Sequence, residues 1–255
     1  MNIATKFLAF AKQIIGPLLA NDVTGRCVGW LFRDRIPHRG LIIDTSLSIV
    51  TPNIKAALLV RGYESGEYRF VRDYLPVDCD VIELGGSLGV ISCTIRRKIK
   101  PTQKLVVVEA NPRLADALQR NLSLNNCAEN VSIERVAIAY GDEDSMRFEL
   151  GETSVSGRLA DENSRATISV PATRLSALVR AHDLTNFCLV CDIEGVEWQI
   201  LREDLPALAA ARIIIMETHD LSNFGTYQNF IDAILATGQF RLINQHGPVV
   251  VLERI

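Results

Sequence analysis

From about residue 80 onward, short apolar runs alternate with stretches of helical periodicity, and no other feature restricts the possible folds as much. The runs "CDVIEL" (79–84), "KLVVVEA" (104–110), "NVSIERVAIA" (130–139), "FCLVCDI" (187–193) and "ARIIIMETH" (211–219) read as five strands. After the first comes "VISCTIRRKI" (90–99), a helix with cations in its last turn and Pro101 as its stop. Asn111 then supplies an N-cap, and Pro112 a first helical residue, for "RLADALQRNLSL" (113–124). "VEWQILRE" (196–203) and "TYQNFIDAILATG" (226–238) have the same helical character. Such alternation predicts a parallel sheet covered by helices on both faces. The end of the chain differs. "FRLINQ" (240–245), a turn-like "HG" and "PVVVLERI" (248–255) are joined so tightly that only an antiparallel pair is possible.

The 255 residues suffice for one large α/β domain with a small extra segment. With 48% apolar and 22% charged residues, the chain can bury a sizeable core. Its formal net charge of -3 argues against a dominant nucleic-acid-binding surface, so no nucleic-acid partner is expected. No apolar run is long and charge-free enough to span a bilayer. In "MNIATKFLAFAKQIIGPLLA" (1–20), Lys12 interrupts the apolar core that a secretory signal needs. Ile3, Phe7, Phe10, Ile14 and Leu18 instead share one helical stripe. That stripe fits a helix packed on the body, a helix packed on a second subunit to give a homodimer, or a membrane-surface anchor. Of the scattered cysteines only Cys188 and Cys191 are close, within a strand-like run. Residues three apart on a strand face opposite ways, so these two cannot share a metal. Buried, reduced cysteine and a cytoplasmic location follow. The first third is less regular: "RGLIIDTSLSIVTP" (39–52) reads as one or two strands and "GEYRFVRDYLP" (66–76) as a helix. Residues 1–75 are taken as a cap segment and 76–255 as the main domain.

The stretch "VIELGGSLGVIS" (81–92) is strand, glycine-rich turn and helix start, the form of a loop that offers backbone N–H groups to a phosphate. Yet Glu83 precedes the glycines. Gly85, Gly86 and Gly89 give G-G-x-x-G, and Leu84 stands where the first glycine of a dinucleotide loop belongs. At about 4 Å a carboxylate and a phosphate repel by roughly 4 kcal/mol at an effective dielectric of about 20. The acid suits a cationic ligand. S-adenosylmethionine carries an ammonium and a sulfonium and has no phosphate, so Glu83 would hold the ammonium. Glu109 closes the second strand, where an acid accepts hydrogen bonds from both ribose hydroxyls. NAD enzymes share that second feature, and the competing reading is an NAD-dependent oxidoreductase with a Rossmann-type domain.

At this point the residues resemble the FkbM-type methyltransferases over about residues 60 to 255. "RGYESGEYRFVRDYL" (61–75) is similar to the family segment with a Tyr-Glu pair, here Tyr63 and Glu64. "VIELGGSLGVIS" resembles the cofactor loop, in which Asp is commoner than Glu83 and Asn commoner than Ser87. "VVVEANP" (106–112), "AIAYGDED" (137–144) and "VPATRLSALV" (170–179) follow in order, with Ser176 where an acid is usual. The most specific element is "CDIEGVEWQIL" (191–201), similar to a D-x-E-G-x-E segment, and "IIIMETH" (213–219) comes after it. The resemblance implies an α/β fold, the Rossmann-like class I methyltransferase three-layer sandwich. Its mostly parallel seven-stranded sheet would end in a C-terminal antiparallel hairpin, with the N-terminal cap segment added. It also implies methylation with S-adenosyl-L-methionine, usually at a hydroxyl of a small molecule, sugar or lipid. Glu83, Gly85, Gly86, Gly89 and Glu109 would make the main cofactor contacts. Asn111, Ala137 and Ile138 would border the adenosine, and Asp142 would reach the adenine amino group.

Methyl transfer to oxygen needs a positioned acceptor and a group that takes its proton. Asp192, Glu194 and Glu197 stand where the fourth strand ends and ligands of such sheets bind, and Asp192, then Glu194, are the leading catalytic residues. His219 ends the fifth strand and is a further base, since its ordinary pKa lies near neutrality. Two carboxylates are a weak metal signal, so no metal is expected. The polar loop "GETSVSGRL" (151–159) is either a substrate contact or mobile surface.

Overall fold

A computed structural model describes residues 21–141, 145–149, 158–159, 167–193, 195–221 and 224–255. The expected N-terminal helix, Asp142, Glu194 and most of the 151–159 loop lie outside them. Helix α1 (Asp22–Phe32) begins where the Asn21 side chain accepts a hydrogen bond from the Thr24 amide, and ends at Arg33 in the left-handed region. A hairpin follows, β1 (Arg35–His38) and β2 (Leu41–Asp44), turned at Arg39 and Gly40 with φ of 49° and 80°. Only Leu41–Asp44 of the expected strand region is extended. Its partner, containing Pro37, carried too short a pattern to be read as a strand. Helices α2 (Pro52–Leu59) and α3 (Ser65–Tyr74) complete this part, the latter where the sequence predicts one.

Next come β3 (Asp80–Leu84), α4 (Val90–Lys98), β4 (Leu105–Val108) and α5 (Pro112–Leu124). Asn111 caps α5 and Pro112 opens it, as expected. The run "NVSIERVAIA" is not one strand. It divides into β5 (Val131–Glu134) and β6 (Ala137–Ile138), which belong to different sheets. An apolar run records burial but not the sheet that supplies it. β6 joins β7 (Ser145–Glu149), β8 (Arg158–Leu159) and β9 (Thr167–Thr173) in a four-stranded sheet of order β6-β9-β7-β8 that the sequence reading did not anticipate. α6 (Leu175–Ala181), β10 (Phe187–Cys191), α7 (Glu197–Glu203), α8 (Leu205–Leu208), β11 (Ile213–Glu217) and α9 (Tyr227–Ala236) follow. The chain closes with β12 (Phe240–His246) and β13 (Val249–Arg254). Their turn is Gly247-Pro248, one residue later than expected.

The main sheet has seven strands in the order β12-β13-β11-β10-β3-β4-β5. β11, β10, β3, β4 and β5 are parallel, and β13 inserts antiparallel between β11 and β12. Strand order reverses between β3 and β10, so the crevice beyond their carboxyl ends is the expected ligand position. Helices cover both faces. On one side Val81, Leu88, Cys93, Leu118 and Cys188 form an apolar layer that Val28, Ile36, Leu41 and Ile43 of the N-terminal part join. On the other, Ile82, Leu84, Cys191, Trp198, Ile200 and Phe230 pack together. Cys188 and Cys191 thus lie on opposite faces. The Cys188 Sγ instead meets the Cys79 Sγ at 2.6 Å, both as thiols. Among the described residues, no helix is long and apolar enough to cross a membrane.

Candidate active site

The turn after β3 is held by its neighbours' backbones. Gly85 and Gly86 both donate to the Val108 carbonyl, at 3.0 and 3.1 Å, and Asp192 donates to the Leu84 carbonyl at 2.9 Å. Gly85 adopts φ 92°, and a Cβ there would stand 2.0 Å from the Asp192 carbonyl oxygen. No other residue type fits both demands. At Gly86 and at Gly89, the latter also left-handed at φ 79°, a Cβ would meet Val107 at 2.5 Å and Leu118 at 2.7 Å respectively. They let the turn settle onto β4 and α5.

Glu83 is 2% exposed, and its Oε2 has no hydrogen-bond partner among the described residues. Burial pushes its carboxyl up to about 8; the neighbouring Ser92 hydroxyl opposes the shift and the Glu109 carboxylate adds to it. Glu109 is satisfied differently. Its Oε2 accepts from the Ser87 amide and its Oε1 from the Asn111 amide, each at 2.8 Å. Burial nonetheless raises it to about 7, against the pull of those amides. A carboxylate has about four acceptor positions, so two remain for ligand hydroxyls. The Asn111 side chain accepts from the Arg113 amide at 3.0 Å and is buried, so its oxygen serves the helix cap. Ala137 is buried on β6, paired with Ala172 of β9.

Across the crevice, His219 joins two carboxylates. Its Nδ1 lies 2.8 Å from Glu197 Oε1, and its Nε2 3.6 Å from Asp192 Oδ1. Glu197 is 1% exposed. Sequence reasoning placed Asp192, Glu197 and His219 at the ends of these strands, but gave Glu197 no role and no partner. It also missed Glu67. That residue is buried three and four positions before Phe70 and Val71 on α3, and an acid on the apolar stripe of an amphipathic helix was the available signal. Burial, the neighbouring Glu67 carboxyl and the Asp192 charge push Glu217 up to about 8. Burial, Glu67 and Asp192 likewise raise Glu64 well above the usual carboxylate range. Tyr63 places its hydroxyl 3.0 Å from Ser87 Oγ, so the Tyr-Glu pair borders both the glycine turn and the acidic wall. Among the described residues no group of three or more His, Cys, Asp or Glu is arranged to hold a metal ion.

The order of the sheet, its reversal point at an acid-glycine turn and the inserted antiparallel strand define a Rossmann-like methyltransferase. The methyltransferase FkbM domain matches residues 83–242, more than half of the chain, and the chain belongs to that family. Its cofactor is therefore S-adenosylmethionine, not the NAD of the competing reading. The site fits that cofactor, since a buried Glu83 carboxyl with one oxygen unpartnered among the described residues suits an ammonium. No curated protein matches the chain. Among solved structures, a protein in the NADB-Rossmann superfamily from Streptococcus agalactiae is 12% identical with a TM-score of 0.45, covering 74% of this chain and 68% of that one. The ribosomal protein L11 methylase from Lactobacillus delbrueckii subsp. bulgaricus is 10% identical with a TM-score of 0.44, covering 76% and 79%. Cofactor-bound Rv0187 from MTB is 11% identical with a TM-score of 0.45, covering 75% and 80%. Nothing about the acceptor of this chain follows from them.

Proposed function

We propose that the protein methylates a hydroxyl oxygen on a small molecule, sugar or lipid, with His219 taking the hydroxyl proton. The observation that carries this reading is the bond between His219 and the buried Glu197. An ionised carboxylate only accepts, so Nδ1 must donate to it, and Nε2 is then the basic nitrogen of the neutral ring. Burial of Glu197 keeps the bond from being diluted by water and fixes ring and tautomer together. Asp192, on the Nε2 side, orients the acceptor hydroxyl and balances the imidazolium. Asp192 leads on sequence grounds; the geometry favours His219 as base and Asp192 as its aid. Glu194 keeps its place as a further acceptor-orienting group on the sequence alone.

When bound, S-adenosylmethionine supplies a methyl carbon already activated for displacement by its sulfonium. Glu83 holds the ammonium, Gly85, Gly86 and Gly89 bring backbone close to the ligand, and Glu109 offers its remaining acceptor positions to the ribose. Asn111 and Ala137 border the adenosine, and Asp142 reaches the adenine amino group. A cytoplasmic setting is part of this reading, supported by six cysteines all present as thiols.

The test is incubation with methyl-labelled S-adenosylmethionine and a panel of monosaccharides, glycolipids and small alcohols, the product linkage being read by NMR. The expected product is a methyl ether. His219→Gln is expected to lower kcat by about 10²–10⁴-fold while leaving cofactor affinity unchanged. A methylamine product, or full turnover by His219→Gln, would refute the proposal.

A further inference from the structure

Helix α1 is built inside out. Its inward face carries Gly25, Val28 and Gly29, and a Cβ at Gly25 would stand 1.8 Å from the Pro52 carbonyl oxygen. Its outward face carries Val23, Trp30 and Leu31, which are 73%, 83% and 67% exposed. With Arg26 and Cys27, also exposed, these positions fall three or four apart and form one stripe. Glycine inside and tryptophan outside reverses the usual order of an amphipathic helix. A large apolar stripe left in water marks a contact surface.

The charges beside the stripe are mainly cationic, Asp22 at the helix start being the one exposed acid between residues 21 and 35. Arg26, Arg33 and Arg35 are exposed, whereas Asp34 is held by Lys55 at 2.6 Å. A cavity of about 720 Å³ opens next to Trp30, with Arg26, Arg33, Lys55 and the Lys55-paired Asp34 in its wall. Six of the chain's 27 Lys and Arg lie in its first 40 residues, but only two of its 30 Asp and Glu. The rest of the chain is therefore acidic, and this end is not.

We propose that the outward face of α1 docks the protein on an anionic phospholipid surface. Trp30 and Leu31 enter the headgroup region, where tryptophan is favoured, and Arg26 and Arg33 meet lipid phosphates. Charge selects this occupant. A second copy packed on the same face about a two-fold axis would bring the arginines of both copies together. Residues 1–20, whose charged side chains are Lys6 and Lys12, would add cations to cations.

Flotation of the full chain with phosphatidylcholine vesicles, with and without phosphatidylglycerol, tests the proposal. Tryptophan emission is read in parallel, because Trp198 is buried and leaves Trp30 as the reporter. Expected are flotation and a blue shift with the anionic vesicles alone, weakening as salt rises. Trp30→Ser with Leu31→Ser should lower vesicle affinity at least tenfold, and Arg26→Gln or Arg33→Gln about fivefold each. All these variants should keep S-adenosylmethionine affinity, which reports an intact fold. Four results would each overturn the proposal: no flotation with anionic vesicles, equal flotation with neutral ones, a dimer that Trp30→Ser dissociates, or Trp30 emission already shielded without vesicles.

Discussion

Gly85 joins the two halves of the site at a single backbone position. Its φ of 92° and the 2.0 Å approach of the Asp192 carbonyl leave no room for a side chain. Gly85→Ala is expected to cost roughly 3 kcal/mol from backbone strain and overpacking, lowering Tm by about 6–12 °C and abolishing cofactor binding. Gly141→Ala, where a Cβ meets nothing within 4 Å, should leave Tm nearly unchanged in the same scan. At this scale the sequence was legible where a strand end dictates position. Glu83, Glu109, Asp192 and His219 all stand at carboxyl ends of parallel strands. Pairing between side chains was not legible: Glu197 with His219 and Glu67 with Glu217 are brought together only by the sheet. Ser87 illustrates a middle case. It adopts φ 45°, a conformation that Asn tolerates better, which accounts physically for Asn being commoner there in the family it resembles.

Asn121 on α5 and Asn125 at its C-cap tie the N-terminal elements to the main domain. Asn125 accepts from the Ile42 amide at 2.9 Å and donates to the Ile42 carbonyl at 2.8 Å, pairing with β2 as another peptide would. One turn earlier, Asn121 accepts from the Asp44 amide at 2.7 Å and donates to the Leu88 carbonyl at 2.8 Å. Both side chains are buried, so their loss leaves backbone groups unsatisfied. Asn121→Ala is expected to cost about 2–3 kcal/mol, measured by urea unfolding, and to speed proteolysis between residues 39 and 51. The element pattern shows why legibility stopped where it did. β3, β4, β10 and β11 are buried on both faces and read as continuous apolar runs. The four-stranded sheet is built from short segments of mixed polarity, and β1 and β2 form a hairpin whose outer positions are exposed. Such elements are set by the surface they land on, which no local period encodes.

Across the whole molecule, the site concentrates carboxyls whose hold on a proton burial strengthens. Glu83 and Glu217 are raised to about 8 and Glu109 to about 7, from an ordinary value of 4.5. Each binds its proton more tightly folded than unfolded. Their contribution to stability is therefore complete below about pH 4.5 and is lost as pH rises through the folded values. The Tm of the cofactor-free protein is expected to fall by several degrees between pH 5.5 and pH 8.5, in a differential scanning experiment. A saturating cationic cofactor should flatten that decline, because it prefers Glu83 ionised. Net charge and composition spoke only against a dominant nucleic-acid-binding surface, and this acidic crevice needed the fold to assemble it.

The claim on which the rest depends is that Glu83 receives the ammonium of S-adenosylmethionine. Calorimetric titration at pH 7, in two buffers of different ionisation enthalpy, tests it most directly. Wild-type protein should bind one equivalent and release most of a proton from Glu83. Glu83→Gln should lose most of that release and bind roughly ten- to a hundredfold more weakly. Unchanged affinity and proton release in Glu83→Gln, or binding of NAD in place of S-adenosylmethionine, would contradict the account.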